Sequence, residues 1–164
     1  MKMESLQELL VDKLKDLYSA ENQILKALPK MAKAATSKEL KKGFEEHLQQ
    51  TKGHVERLEK IFKELEENPK GKKCKGMEGL INEGKELMEE DLEPEVLDAG
   101  LIAAAQHVEH YEMAGYGCVR TYAQLLGQDR IAQTLQKTLD EEKQTDAKLT
   151  SLAEAINLEA REAA

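Results

Sequence analysis

Apolar residues recur three or four positions apart along most of the chain, the spacing of one face of an α-helix. Between Glu4 and Ala35 the stripe is Leu10, Leu14, Leu17, Ile24, Leu28 and Met31. This predicts a first helix over about 4–35, with Pro29 kinking its last turn or so. Thr36 followed by Glu39 has the form of a capping box and predicts the start of a second helix. Its stripe is Phe44, Leu48, Val55, Leu58, Phe62 and Leu65, and it is expected to stop at Asn68-Pro69. A basic, Gly-containing loop leads to Gly76 and a short third helix carrying Met77, Leu80, Ile81, Leu87 and Met88. Pro94 suits the first turn of a fourth helix, with Leu101, Ala105, Val108, Val119, Tyr122 and Leu126 along one face. Gly127 is placed as its C′ residue. A fifth helix is expected from about Asp129 towards Leu158, with Leu135, Leu139, Leu149, Leu152 and Ile156 inside.

The four long helices have about thirty residues each, or about 45 Å at ~1.5 Å per residue. The breaks at 36 and 127 are too short for anything but antiparallel hairpins, and the one long connection lies between the hairpins. That arrangement predicts an all-α, ferritin-like four-helix bundle with one short extra helix in the crossover, a single domain over 1–164. Composition agrees: aromatics supply only 4% of residues and there is no Trp, so the core must be Leu, Ile, Val, Ala and Met on interdigitating helices.

The same stripes carry residues that do not belong in a core. Glu21 fills the gap in the first helix, Glu112 that in the fourth, and Glu142 and Asp146 those in the fifth. The second helix has Thr51 there, with His47, Gln50 and His54 beside it. Glu21 and Thr51 are equally far from Thr36, and Glu112 and Glu142 equally far from Gly127, so all four sit at one height. A shift of 91 positions carries Glu21 onto Glu112, Thr51 onto Glu142, Leu10 onto Leu101 and Leu58 onto Leu149. The chain is thus a weak repeat of one helical hairpin, and its polar layer repeats with it. A single Glu on a core stripe is most often a chance of a charge-rich sequence. Four helices contributing at matched heights point elsewhere. Carboxylates facing one another in a bundle repel and lose hydration, and need protons or cations. Metal ions supply that compensation.

The formal net charge of −8 argues against nucleic acid as the main partner, since phosphate binding needs a basic face. The exception is the run Lys70, Lys72, Lys73 and Lys75, read as a solvated loop. The N-terminal MKMESLQELLVDKLKDLY is amphipathic and acidic, unlike a signal peptide, and no stretch approaches a membrane span. Two cysteines are too few for a disulfide framework, so a cytoplasmic protein with reduced thiols is expected. Cys118, beside Val119, is read as buried. The lysines around Cys74 would favour its thiolate. His107 and His110 are placed off the site face, and Tyr18, Tyr111 and Tyr116 are read as packing.

From LQELLVDKLKDLYSAENQILKAL through HLQQTKGHVERLEKIF, KCKGMEGLINEG and LIAAAQHVEHYEMAGYG to LDEEKQTDAKLTSLA, the chain resembles the YciF-like bacterial stress proteins of the ferritin and rubrerythrin superfamily. The resemblance implies a stress-associated cytoplasmic protein, a rubrerythrin-like bundle and a homodimer. The superfamily's pattern is one Glu from each of two helices and Glu-x-x-His from each of the others. Glu21 and Glu112 match the single acids. Thr51-x-x-His54 keeps the His without the Glu, and Glu142-x-x-Thr145 the Glu without the His. With Asp146 and Glu109 compensating, the ligand set implied is Glu21, His54, Glu109, Glu112, Glu142 and Asp146, with Gln50 at its margin and His47 as a donor behind it. Two ions are expected, iron or manganese, with zinc an alternative. The activity suggested is redox chemistry on peroxide or Fe(II), with an external electron donor because there is no Cys-x-x-Cys pair. The competing expectation is a helical scaffold that has lost such chemistry.

Overall fold

The first three helices begin where a side chain takes up one of the free N–H groups of the first turn. In the computed structural model, which describes residues 3–163, α1 (Leu6–Ala34) opens on a capping box. Ser5 Oγ accepts from the Glu8 N–H at 3.1 Å, and Glu8 accepts from the Ser5 N–H at 3.2 Å. α2 (Lys38–Glu64) is capped by Ser37, whose Oγ accepts from the Leu40 N–H. The expected cap, Thr36, is one residue early because a different group claims this corner. Asp98, from the start of another helix, accepts the N–H of Thr36 at 2.8 Å and that of Ser37 at 2.7 Å.

α3 (Lys75–Glu89) starts at Cys74, α4 (Pro94–Leu125) has proline at its first position, and α5 (Asp129–Glu162) runs one turn past the expected end. α1 continues through Pro29 to Ala34. Between α4 and α5 the chain reverses at Gly127, whose φ of 71° is the left-handed value a C′ glycine adopts without steric cost.

The described residues form five helices and no strand. α1 packs on α2 and α4 on α5, the two hairpins expected from the short breaks. The hairpins meet along α1–α4 and α2–α5, and α3 lies in the crossover against α1 and α4. Within this frame the helices keep a strict four-three spacing of inward positions. On α1 these are Leu10, Leu14, Leu17, Glu21, Ile24, Leu28 and Met31. On α2 they are Leu40, Phe44, His47, Thr51, His54, Leu58 and Ile61, so His47 takes the buried place that had been given to Leu48.

The polar layer cuts the core in two. Towards the Asp98 end lie Ile24, Leu28, Leu40, Phe44, Leu101 and Leu149. Towards the Gly127 end lie Leu10, Leu14, Leu17, Leu58, Phe62 and Leu135. Buried aliphatic side chains each contribute about 1.5–3 kcal/mol. Both half-cores therefore hold the helices closely enough to keep the layer between them from collapsing or opening.

Candidate metal centre

Six carboxylate and imidazole side chains are buried in this layer: Glu21, His47, His54, Glu109, Glu112 and Glu142. Glu21, His54, Glu112 and Glu142 are fully inaccessible. Such groups are costly in a low-dielectric interior unless paired or bound to a cation. The atoms form two groups that share one residue. His47, Glu109, Glu112 and Glu142 each offer an atom within 4.8 Å of the others, and so do Glu21, His54 and Glu142.

Within the first group, His47 Nε2 stands 2.8 Å from Glu109 Oε1. Within the second, His54 Nδ1 lies 3.3 Å from Glu21 Oε1 and 3.0 Å from Glu142 Oε1. These atoms are close but not aligned for hydrogen bonds: His47 Nε2 and His54 Nδ1 have no hydrogen-bond partner. Neither do both oxygens of Glu112, both of Glu142, and one each of Glu21 and Glu109. Buried polar atoms are nearly always satisfied, and a concentration of unsatisfied acceptors facing one another is the arrangement a cation relieves. By that test the residues fit a metal. Carboxylate oxygens and imidazole nitrogens are both donors that metal ions accept.

Electrostatics within the layer agree. Burial, and then the charges of Glu142 and Glu21, push Glu112 well above the usual carboxylate range; burial and Glu142 do the same to Glu109. Burial alone would raise Glu142 as well, but the close approach of the Glu109 carboxyl and of the His54 and His47 imidazoles outweighs it and holds that carboxyl low. For His54, burial opposes the charged form, yet Glu142 and Glu21 push its pKa up to about 10. Without metal, the layer thus draws in protons to balance its acids.

Groups around the layer fix its orientation. Glu141 accepts from His54 Nε2 at 2.8 Å, which leaves Nδ1 turned to the cluster. Arg57 grips Glu141 with both terminal nitrogens, at 2.7 and 2.8 Å, and keeps its carboxyl below the usual range. Tyr116 donates its hydroxyl to Glu21 Oε1 at 2.6 Å, and burial holds that phenol neutral.

The structure brings together Glu21, His54, Glu109, Glu112 and Glu142 of the expected ligands, and it leaves two apart. Asp146 lies half-buried on the flank of the α4–α5 hairpin. There it accepts from Gln106 Nε2 at 3.3 Å and pairs with exposed His110 at 3.2 Å. Glu109, placed at its height by the sequence, turns inward instead, because it and Glu112 occupy successive inward positions. Gln50 precedes the inward Thr51 by one residue, is exposed, and accepts from Thr145 Oγ1. His47 is inside the cluster rather than behind it. Continuing the four-three spacing from Leu40 and Phe44 would have placed it there. The same spacing on α4 puts Tyr116 on the seam after Glu109 and Glu112. Glu141 and Arg57 carry no such signal, since both are half-buried beside the inward positions rather than on them.

The cysteines reverse their expected roles. Cys118 is exposed. Cys74 is buried at the start of α3, with Sγ 3.0 Å from the Tyr111 hydroxyl, and burial pushes its thiol up despite the lysines nearby. Tyr18 packs edge-on against Phe62 and donates to Glu59 rather than to the cluster.

Fold and site together define a class: a ferritin-like helical bundle with an interior layer of carboxylates and imidazoles. Residues 5–162 match a family described as a domain of unknown function (DUF892). The chain is 47% identical over 155 residues to Protein YciF of Escherichia coli (strain K12), covering 93% of each. The crystal structure of the E. coli stress protein YciF superposes with a TM-score of 0.91 at 44% identity, over 94% of this chain and 98% of that one. YcfI of Rhodopseudomonas palustris, described as a candidate structural protein, gives 0.88 at 43% identity, over 91% and 95%. A Xanthomonas campestris protein shares the fold at a TM-score of 0.76 and 20% identity, over 94% of each chain. The chain belongs to the DUF892 family and is a homologue of the stress protein YciF. Among the described residues no helix is long and apolar enough to cross a membrane.

Proposed function

We propose that this is a stress-associated, ferritin-like protein of the cytoplasm that binds two metal ions, iron or manganese, with zinc the less favoured occupant. The observation that carries this reading is the membership of Glu142 in both ligand groups, with both its oxygens buried and unpaired. A carboxylate so placed can serve two ions at once. His47, Glu109 and Glu112 would complete one shell, and Glu21 and His54 the other. Bound there, a metal pair supplies one-electron chemistry with a small oxidant such as peroxide or dioxygen.

The chain's own residues contribute orientation and exclusion. Glu141 fixes the His54 ring, a kind of support whose loss costs about 10–100-fold in metal affinity. Tyr116 holds Glu21 through its hydroxyl, and the two half-cores keep bulk water away. With only two cysteines in the chain, and no Cys-x-x-Cys, electrons would come from an external donor.

Protein purified without chelators is expected to carry iron, manganese or zinc by elemental analysis, and the Glu112→Ala, Glu142→Ala double variant to lose it. Equal metal content in the two would refute this site.

A second reading, a scaffold without redox chemistry, is favoured by Thr51 and Thr145. Thr51 Oγ1 donates to the His47 carbonyl at 2.8 Å, while Thr145 turns out to Gln50. Wild-type protein free of metal would select it.

The protein is further proposed to form a homodimer. α4 exposes Ala103, Ala114, Cys118 and Leu125 on one face, interleaved with His107, His110 and Thr121, and the small residues of that face suit close approach of a second copy. Light scattering at micromolar concentration should give the dimer mass; a monomer mass would remove the proposal.

A further inference from the structure

The half-core towards the Asp98 end is not fully packed. A cavity of about 50 Å³ lies among all five helices. Its exposed margin holds Lys30, Lys85 and Lys148, and its buried end reaches His47 and Glu109. The walls between are hydrocarbon, from Leu28, Phe44, Val108 and Leu149 among others. The space exists because small residues stand where larger ones would fill it, Gly43 on α2 and Gly84 on α3 among them. By volume it has room for roughly three or four water-sized molecules, but apolar walls offer water no partners, and cavities of this kind stay dry and take up apolar gases.

We infer that this cavity is a passage for dioxygen, joining the surface between the lysines to the His47–Glu109 edge of the cluster. The inference rests on the metal-binding reading and narrows the choice of oxidant within it. Dioxygen is uncharged, makes no hydrogen bonds worth keeping, and fits the volume. Hydrogen peroxide would have to leave its hydrogen bonds to water behind on entering hydrocarbon walls, which disfavours it on this route. Metal cations are excluded more strongly, by the walls and by the lysines.

The test uses two variants and an apolar probe gas. A Cβ at Gly43 would sit 3.8 Å from Leu152 Cδ1, and one at Gly84 3.8 Å from Ala104 Cβ, both ordinary contacts. Gly43→Leu and Gly84→Leu therefore place their first carbon without clash and extend the rest towards the cavity. Replacing glycine within a helix also favours the helix, so the fold is kept. Xenon is titrated into chelator-treated protein while the methyl NMR signals are followed. Saturable shifts are expected at Leu28, Leu149 and Leu152 in the wild type, with affinity at least fivefold weaker in both variants. Absence of saturable shifts, or equal affinity in all three proteins, overturns the passage. In protein loaded with Fe(II), oxidation by dissolved dioxygen should slow at least tenfold in Gly43→Leu with Fe(II) affinity unchanged. Wild-type oxidation rates in a variant that has lost xenon binding overturn the route. If no protein binds iron, the metal reading fails and the xenon arm alone decides whether the cavity takes up gas.

Discussion

Replacing Glu112 and Glu142 together by Gln is expected to lower the melting temperature of protein purified without chelators. The substitutions keep shape and remove two buried carboxylates, so opposite outcomes follow for a filled and an empty layer. In an empty layer Glu112 is held well above its ordinary pKa by burial and by its neighbours' charges. At neutral pH that acid must take up a proton on folding, and a glutamine, neutral already, removes this cost, so the protein should melt higher. In a filled layer the same change deletes ligands, Glu142 from both groups. A metal present at a hundred times its dissociation constant stabilises by about 2.7 kcal/mol. At about 2–4 °C per kcal/mol for a chain of this size, the expected fall is roughly 5–11 °C. Chelator should bring the wild type down towards the variant and leave the variant where it is. A variant melting above untreated wild type would favour the scaffold reading and dispose of the redox one.

Asp98→Ala is expected to destabilise by about 3 kcal/mol, lowering the melting temperature by roughly 6–12 °C. Asp98 is 4% exposed and accepts two backbone N–H groups at the turn between α1 and α2. Hydrogen bonds to a charged acceptor are worth about 1.5–3 kcal/mol, and removal leaves the Thr36 and Ser37 donors without these partners near the start of α2. The same carboxylate ties the first hairpin to the beginning of α4, so its loss also loosens the contact between hairpins. Asp98→Asn keeps one acceptor and should recover part of the loss. Calorimetry of both variants checks the ordering. An alanine variant as stable as wild type would show that the turn needs no such tie.

These two predictions differ in how far the sequence foretold them. The heights of Glu21, Glu112 and Glu142 follow from counting outward from two short turns, because antiparallel helices of equal rise keep their register over several turns. Asp98 left no local trace. Its partners lie more than sixty residues away, and the side chain that looked like the cap, Thr36, was displaced by a contact no periodicity encodes. The departures of the buried cluster from the expected ligand set are of one kind. Asp146 and Gln50 are the right residue types near the right height, but rotation about the helix axis decides which side chains point in, and these two do not. His47 belongs to the four-three series from Leu40 through His54, which the periodicity of α2 already contains. Cys74 and Cys118 were judged by their neighbours in sequence, and burial depends on neighbours in space.

The 91-residue repeat has a consequence for ancestry. A lone hairpin that paired with a copy of itself would present the same polar layer about a two-fold axis, with every ligand occurring twice. The present layer does not obey that symmetry: the first hairpin supplies Glu21, His47 and His54, the second Glu109, Glu112 and Glu142. Imidazole on one side opposite carboxylate on the other is beyond a pair of identical chains, where each substitution is made in both at once. Gene fusion lifts that restriction. Where a crossover joins two such copies, each half mutates alone, and a symmetric ring of acids is free to diverge into two unlike groups of carboxylates and imidazoles.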